Sequence, residues 1–292
     1  MGDCVHCGKP AGFFKSSHRE CQAAYDAELA RKAESEARRS AEASKLTQEL
    51  KAAMADLSVP LVDVESLIAR GLEAELFPLH GRQRLVVEAW EFAVDRFLQD
   101  DLLTDEEEAR LTQAAERFAL PAEQMGTAGG LTRFAKASIL KGVMRGDDLP
   151  CIDTPPDFPF NLQKTERVVW IDHGVRYLED KVRRETVGGS RGVSVRVVSG
   201  VYVRLGAFKA KPVFSTERVE VATGSLCVTD RSLYFRSPAH SMRIPFGKIV
   251  SFEQFSDGLG LMRDAASAKP QFFMNGDGWF LYNLVTNLAY RD

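Results

Sequence analysis

Four potential metal ligands fall within eighteen consecutive residues, as Cys4-x2-Cys7, a ten-residue gap and His18-x2-Cys21. Two thiolates separated by two residues grip one ion from a tight knuckle, and Gly8 directly after Cys7 relieves crowding where the backbone turns. Ser17 and Glu20 have the S-x-x-E spacing of a capping box, which predicts a helix start there and puts His18 and Cys21 on one face of its first turn. Three of the five cysteines and one of the five histidines fall in this window at ligand spacing, a concentration that scattered free thiols do not explain.

Knuckle, short hairpin and helix make a treble clef, so residues 1–21 are expected to form a zinc finger around one structural Zn2+. A complete Cys3His shell leaves no coordination position for water, so the ion is expected to hold the fold and not to perform hydrolysis. His6, between the knuckle cysteines, is not needed as a fifth ligand and stands either as ordinary surface or as a site residue.

A length of 292 residues allows two or three domains, and a net charge of −3 argues against a globally basic nucleic-acid binder. No stretch approaches the roughly twenty apolar residues that cross a bilayer, and MGDCVHCGK lacks the regions of a signal peptide. The expectation is a cytoplasmic protein without a membrane partner, in which Cys151 and Cys227 stay reduced.

Between Cys21 and Leu57 there is no Gly or Pro, Ala is abundant, and charges of both signs recur at helical offsets, so 22–57 is expected to be one long helix. Its apolar face is thin at Ala33, Ala37 and Ala41 and thickens at Leu46, Leu50, Met54 and Leu57. That distal stripe is compatible with self-association and equally with a solvated spacer.

Ser58-Val59-Pro60 breaks the helix, and residues 58–146 are expected to form a small helical domain with four helical patterns. The segment Asp100 to Glu108 resembles the helix-loop-helix of tellurite-resistance-type and degenerate EF-hand-like domains. It lacks the calcium ladder, and Thr104 with Glu107 reads as a capping box. His80-Gly81-Arg82-Gln83-Arg84 sets an imidazole beside two guanidiniums, the groups that metal-free phosphodiester cleavage needs, although Arg82 and Arg84 also suit the first exposed turn of a helix.

Residues 147–163 form a proline-rich linker. After it the hydrophobic period becomes two, in short β-branched and aromatic runs such as GVYVRLGAF, SLYFRS and KIVSFEQF, which predict a compact barrel. In the last stretch Trp279 or Phe280, Leu284 and Leu288 share an apolar helical face able to plug a barrel mouth. The overall fold class is thus multidomain α+β. Through Thr223-Gly224-Ser225-Leu226-Cys227-Val228-Thr229-Asp230, Arg243-Ile244-Pro245 and Lys248-Ile249-Val250, residues 164–292 resemble bacterial pleckstrin-homology-like domains of the GRAM-related kind. That resemblance implies a binding platform.

Lysines and arginines from Lys164 to Arg218 outnumber the acids two to one, which predicts a basic face. Arg191, Arg196, Arg204 and Lys209 are its candidate partner-binding residues, and a solvated strand face is the alternative.

Finger, long helix, helical domain and pleckstrin-like barrel in one chain are similar to the architecture of ring-activated zinc-finger ribonucleases of anti-phage immunity. The resemblance rests on Cys4, Cys7, His18, Cys21 and overall organisation. It implies an oligomeric bacterial effector, activated by a phage ring-forming protein, that degrades RNA and stops translation. The residues themselves offer no P-loop, GxGxxG, GxSxG, HExxH or two-metal carboxylate cluster. Any catalysis is therefore expected to be metal-independent, with His6 or His80 as proton-transfer group and Lys9, Lys15, Arg19, Arg82 and Arg84 contacting RNA. The alternative is a non-enzymatic adaptor whose finger and barrel bind protein or nucleic acid.

Overall fold

The computed structural model describes residues 2–12, 15–78, 81–149, 152, 154, 158–187, 193–198, 201–205, 211–265 and 268–291, with backbone alone for 182–187, 193–198, 201–205 and 211–215. The chain divides into two compact units, Met1–Ser138 and Ile139–Asp292.

The first unit is built on α1 (Arg19–Met54), which begins at an extended His18. The capping box expected at Ser17 does not form. The Ser17 hydroxyl donates instead to Gln22 Oε1 at 3.2 Å, and no side chain caps the helix. Every residue from 23 to 42 is exposed. The distal stripe then turns inward, and Leu50 and Met54 join one apolar core with α2 (Leu61–Glu73) and α3 (Arg82–Phe97). A Cβ on Gly71 of α2 would come within 2.7 Å of Leu46 Cδ2, so a larger residue there requires the Leu46 and Phe77 side chains to shift.

This corrects the self-association argument drawn from that stripe. Leu46, Leu50 and Met54 are covered by the chain itself, and Leu57 alone stays outside, 47% exposed. The expected break at Pro60 is present, with Asp56 accepting from the Ser58 amide at 2.9 Å to close the turn.

Three further helices complete the unit, α4 (Asp105–Arg117), α5 (Ala122–Met125) and the start of α6 (Gly130–Arg145). The Thr104–Glu107 capping box forms in both directions, at 3.2 and 2.9 Å. Trp90 of α3 is fully packed, and its indole N–H donates 2.9 Å to the Leu111 carbonyl, so the largest core side chain leaves no polar atom unpaired.

In the second unit β1 (Val168–Val187), β4 (Lys211–Thr229), β5 (Ser232–Arg236), β6 (Ser241–Pro245), β7 (Ile249–Phe255), β8 (Gly258–Arg263) and β9 (Gln271–Met274) form one curled antiparallel sheet. Its order is β6-β5-β4-β1-β9-β8-β7, a four-strand and a three-strand meander joined through β1 and β9. Strands β2 (Val193–Val198) and β3 (Val201–Leu205) make a separate hairpin. The curl encloses Tyr177, Phe235, Ile244, Leu259 and Phe273, and helix α7 (Gly278–Ala289) closes the core with Phe280, Leu284 and Leu288.

The Asp277 side chain caps α7 by accepting from Phe280 N at 3.2 Å. A Cβ on Gly278 would lie 1.9 Å from the Phe255 carbonyl oxygen, so glycine is needed where α7 meets the end of β7. Part of the expected linker is core: Leu149 joins the interior of the curled sheet, and Phe160 packs on Tyr234 with ring centroids 6.2 Å apart.

Candidate metal centre

The knuckle is shaped by backbone hydrogen bonds. Gly8 N donates to the Cys4 carbonyl at 2.8 Å, Cys4 N donates to Lys9 O at 2.8 Å, and Asp3 and Pro10 form an antiparallel bridge. Gly8 has φ +69°, the left-handed conformation that glycine adopts without strain. Val5 N donates to Ser16 O at 3.0 Å and ties the knuckle to the entry of α1.

These contacts bring the ligand atoms of Cys4, Cys7, His18 and Cys21 within 4.8 Å of one another, a group that can hold a metal ion. His18 Nδ1 is 3.4 Å from Cys7 Sγ and 3.7 Å from Cys21 Sγ. Its other nitrogen, Nε2, donates to the Pro10 carbonyl at 3.1 Å, which leaves the Nδ1 lone pair facing the three sulfurs. A backbone carbonyl thus selects the ligating tautomer.

The thiols are electrostatically unequal. Burial opposes ionisation of Cys4, but hydrogen bonds from the His18, His6 and Cys7 amides outweigh it and bring the pKa down to about 6. Cys21 is pushed up to about 11, first by its hydrogen bond with the Cys7 side chain and then by burial. One sulfur is ready as thiolate, and another holds its proton until a cation displaces it.

His6 is exposed beside this cluster, and its Nε2 lies 3.0 Å from Gln22 Oε1. Gln22 Nε2 donates to Asp26 Oδ1 at 3.0 Å, which fixes the amide so that its oxygen faces His6. The imidazole therefore donates through Nε2 and keeps Nδ1 as an acceptor. Its ring rests on Tyr25 with centroids 4.6 Å apart. Lys9, Lys15 and Arg19 are exposed on the same small finger, and among the described residues none of the three forms an ion pair with an acid.

The second candidate group is described only in part. His80 lies outside the described residues. Arg82 and Arg84 are exposed on the first turn of α3 while Leu85, Val86 and Val87 point inward, the ordinary amphipathic arrangement, and Arg84 pairs with Glu88 at 3.7 Å.

In the second unit Arg196 and Arg204 lie on the two strands of the β2–β3 hairpin, where Ser194 pairs with Arg204 and Arg196 with Tyr202. Arg191 and Lys209 lie outside the described residues. The expected basic face is partly neutralised where side chains are described. Arg176 faces Asp257 at 3.5 Å, Arg167 faces Asp230 at 3.9 Å, and Arg218 faces Asp180 at 3.3 Å while stacking 3.4 Å from the centre of the Phe272 ring.

Sequence reading missed a buried polar cluster around Glu166. Its Oε1 accepts from Ser232 Oγ at 2.8 Å and Arg243 Nη2 at 2.9 Å, and its Oε2 accepts from the Tyr234 hydroxyl and from Gln163 N at 3.2 Å. Its three side-chain partners stand 66 to 77 residues from Glu166 along the chain, so no local pattern could reveal them. With every carboxylate lone pair occupied, the cluster fastens the segment before β1 onto β5 and β6.

No protein-family model, curated protein or solved structure matches this chain. No described helix is long and apolar enough to cross a membrane.

Proposed function

We propose that the Cys4, Cys7, His18 and Cys21 group is a structural zinc site. A tetrahedral zinc with bonds of about 2.3 Å to sulfur and about 2.0 Å to nitrogen sets S and N ligands about 3.5 Å apart. The 3.4 and 3.7 Å separations around His18 Nδ1 agree with that geometry. The Cys3His donor set is soft and complete, so the ion supplies folding energy, and the chemistry falls to side chains outside its shell.

On this reading the protein is a zinc-finger ribonuclease, an effector of bacterial anti-phage immunity switched on by a phage ring-forming partner. The observation that carries it is the chain Asp26, Gln22, His6, which leaves an exposed imidazole Nδ1 as a proton acceptor next to Lys9, Lys15 and Arg19. His6 Nδ1 takes the proton of a ribose 2′-hydroxyl, the 2′-oxygen attacks the adjacent phosphorus, and the P–O5′ bond breaks as the 5′-oxygen leaves with a proton from solvent water. The cationic side chains offset charge on the phosphoryl oxygens. The second unit, a curled antiparallel sheet closed by α7, serves as the partner-binding end, a role supported by the resemblance of its sequence to pleckstrin-homology-like domains.

Incubating the full chain with total RNA, alone and with ring-forming phage proteins, tests this. Products ending in 2′,3′-cyclic phosphate, absent with DNA and lost in His6→Ala, are expected. Intact RNA under every condition supports the adaptor reading, which the solvated stretch from 23 to 42 also favours by holding the finger out as a spacer.

A further inference from the structure

We propose that Tyr25, which stands against His6, is a stacking platform for one unpaired base, so that the finger takes single-stranded RNA and not a duplex. This rests on the ribonuclease reading and adds the form of its substrate.

The first turns of α1 carry an apolar surface that the chain leaves open. Tyr25 is 46% exposed, and Leu29, one turn further along, is 47% exposed. Residues four apart on a helix lie on one face, so the two make a short continuous strip. Val5, the neighbour of His6 in the knuckle, is 74% exposed. The distal stripe of the same helix is covered by α2 and α3, whereas the only ring that meets Tyr25 among the described residues is His6. Large apolar side chains gathered at one exposed place mark an interaction site.

Geometry gives the shape of the occupant. The His6 and Tyr25 rings lie 4.6 Å apart and 31° from parallel. His6 is held through Nε2 by Gln22, and Gln22 is held by Asp26, so a fixed imidazole backs the phenol ring. A flat group laid on Tyr25 extends a pile already two rings deep. Every nucleobase has such a face, and it is available to an aromatic side chain only when the base is out of a duplex.

The surrounding charge favours a polyanion over an apolar protein partner. Lys9, Lys15 and Arg19 are exposed on the finger, and among the described residues none forms an ion pair with an acid. Of the acids flanking Tyr25 in α1, Asp26 accepts from Gln22 at 3.0 Å and Glu28 pairs with Lys32 at 2.8 Å. A phosphate chain leading from the stacked base therefore meets three cations not engaged by acids. Because Tyr25 touches His6, a base anchored there keeps its own sugar and phosphate beside the proton acceptor.

Fluorescence anisotropy of the full chain with a short labelled 2′-O-methyl oligonucleotide tests this. That strand lacks the nucleophilic hydroxyl, so it reports binding apart from cleavage. The single strand is expected to bind at least about tenfold tighter than a duplex of the same sequence. Tyr25→Ala is expected to weaken binding at least about fivefold with zinc content unchanged, and Tyr25→Phe, which keeps the ring, to restore most of it. Binding that depends on Tyr25 while total RNA stays intact keeps the platform and removes the nuclease. Equal affinity for strand and duplex, no binding by the native chain, or cleavage unaffected by Tyr25→Ala overturns the platform and leaves the nuclease standing. Self-association lost in Tyr25→Ala, with oligonucleotide affinity unchanged, overturns it in favour of a contact between copies of the chain.

Discussion

The guanidinium of Arg110 donates through Nε to the carbonyl oxygen of Met54 at 3.2 Å, and through Nη2 to Ala53 at 2.8 Å. The last carbonyls of a helix have no intrahelical donors, so a side chain from α4 completes the end of α1. Burial lowers the Arg110 pKa, and the nearby Asp56 charge works against that shift. Arg110→Leu should cost about 2 kcal/mol, or on the order of 5–8 °C in Tm of the first unit, measured by calorimetry. A Tm unchanged within error would show that water replaces the guanidinium.

Metal loading should release protons. At pH 7 Cys4, near 6, is already largely thiolate, whereas Cys21, near 11, is protonated and must lose its proton to bind. Zinc titration in two buffers of different ionisation enthalpy should therefore give different apparent heats. The purified chain should carry one zinc, and Cys7→Ser should lose it while α1 beyond Lys45 stays folded. Identical heats in both buffers would contradict the assignment of Cys21.

Glu166 gives a pH signature. Burial raises its pKa, but hydrogen bonds from Tyr234, Ser232, Arg243 and Gln163 outweigh it, so the folded value lies below the ordinary one. The stability it contributes is therefore complete above the unfolded pKa of about 4.3 and is lost as pH falls through the lower folded value. Glu166→Gln should cost about 2 kcal/mol at pH 7, discounted because Arg243 is partly exposed, and should flatten the stability profile below about pH 5. A mutant as acid-sensitive as the native protein would assign the effect to other carboxylates.

Gln22→Leu should separate positioning from folding. It removes the acceptor that orients His6 and leaves all four ligands in place. RNA cleavage is expected to fall about tenfold with zinc content unchanged. Nitrogen-15 NMR of the His6 ring should show Nε2–H as the main tautomer in the native chain and a mixture in the mutant. Retained activity with a mixed tautomer would remove His6 from the reaction.

The candidate metal-binding group was legible because Cys4, Cys7, His18 and Cys21 are close in sequence and their spacing carries the geometry. The Thr104–Glu107 box and the α7 face were legible for the same reason, since each is a pattern of one or two turns. Where competing local bonds existed, local pattern misled. Ser17 has the capping spacing, yet Gln22 takes its hydroxyl. The fate of Leu46, Leu50 and Met54 depended on α2 and α3, which no periodicity within α1 can reveal. The Glu166 cluster joins side chains 66 to 77 residues apart, so only the folded structure brings them together.

The four ligands lie within eighteen consecutive residues, upstream of every other cysteine in the chain. During vectorial synthesis this group can close on its ion before Cys151 or Cys227 has been made. Those later thiols are therefore out of reach while the group assembles, and Cys227, pushed up to about 12 mainly by burial, ends packed against Phe160, Val168 and Tyr234 as an inert neutral thiol.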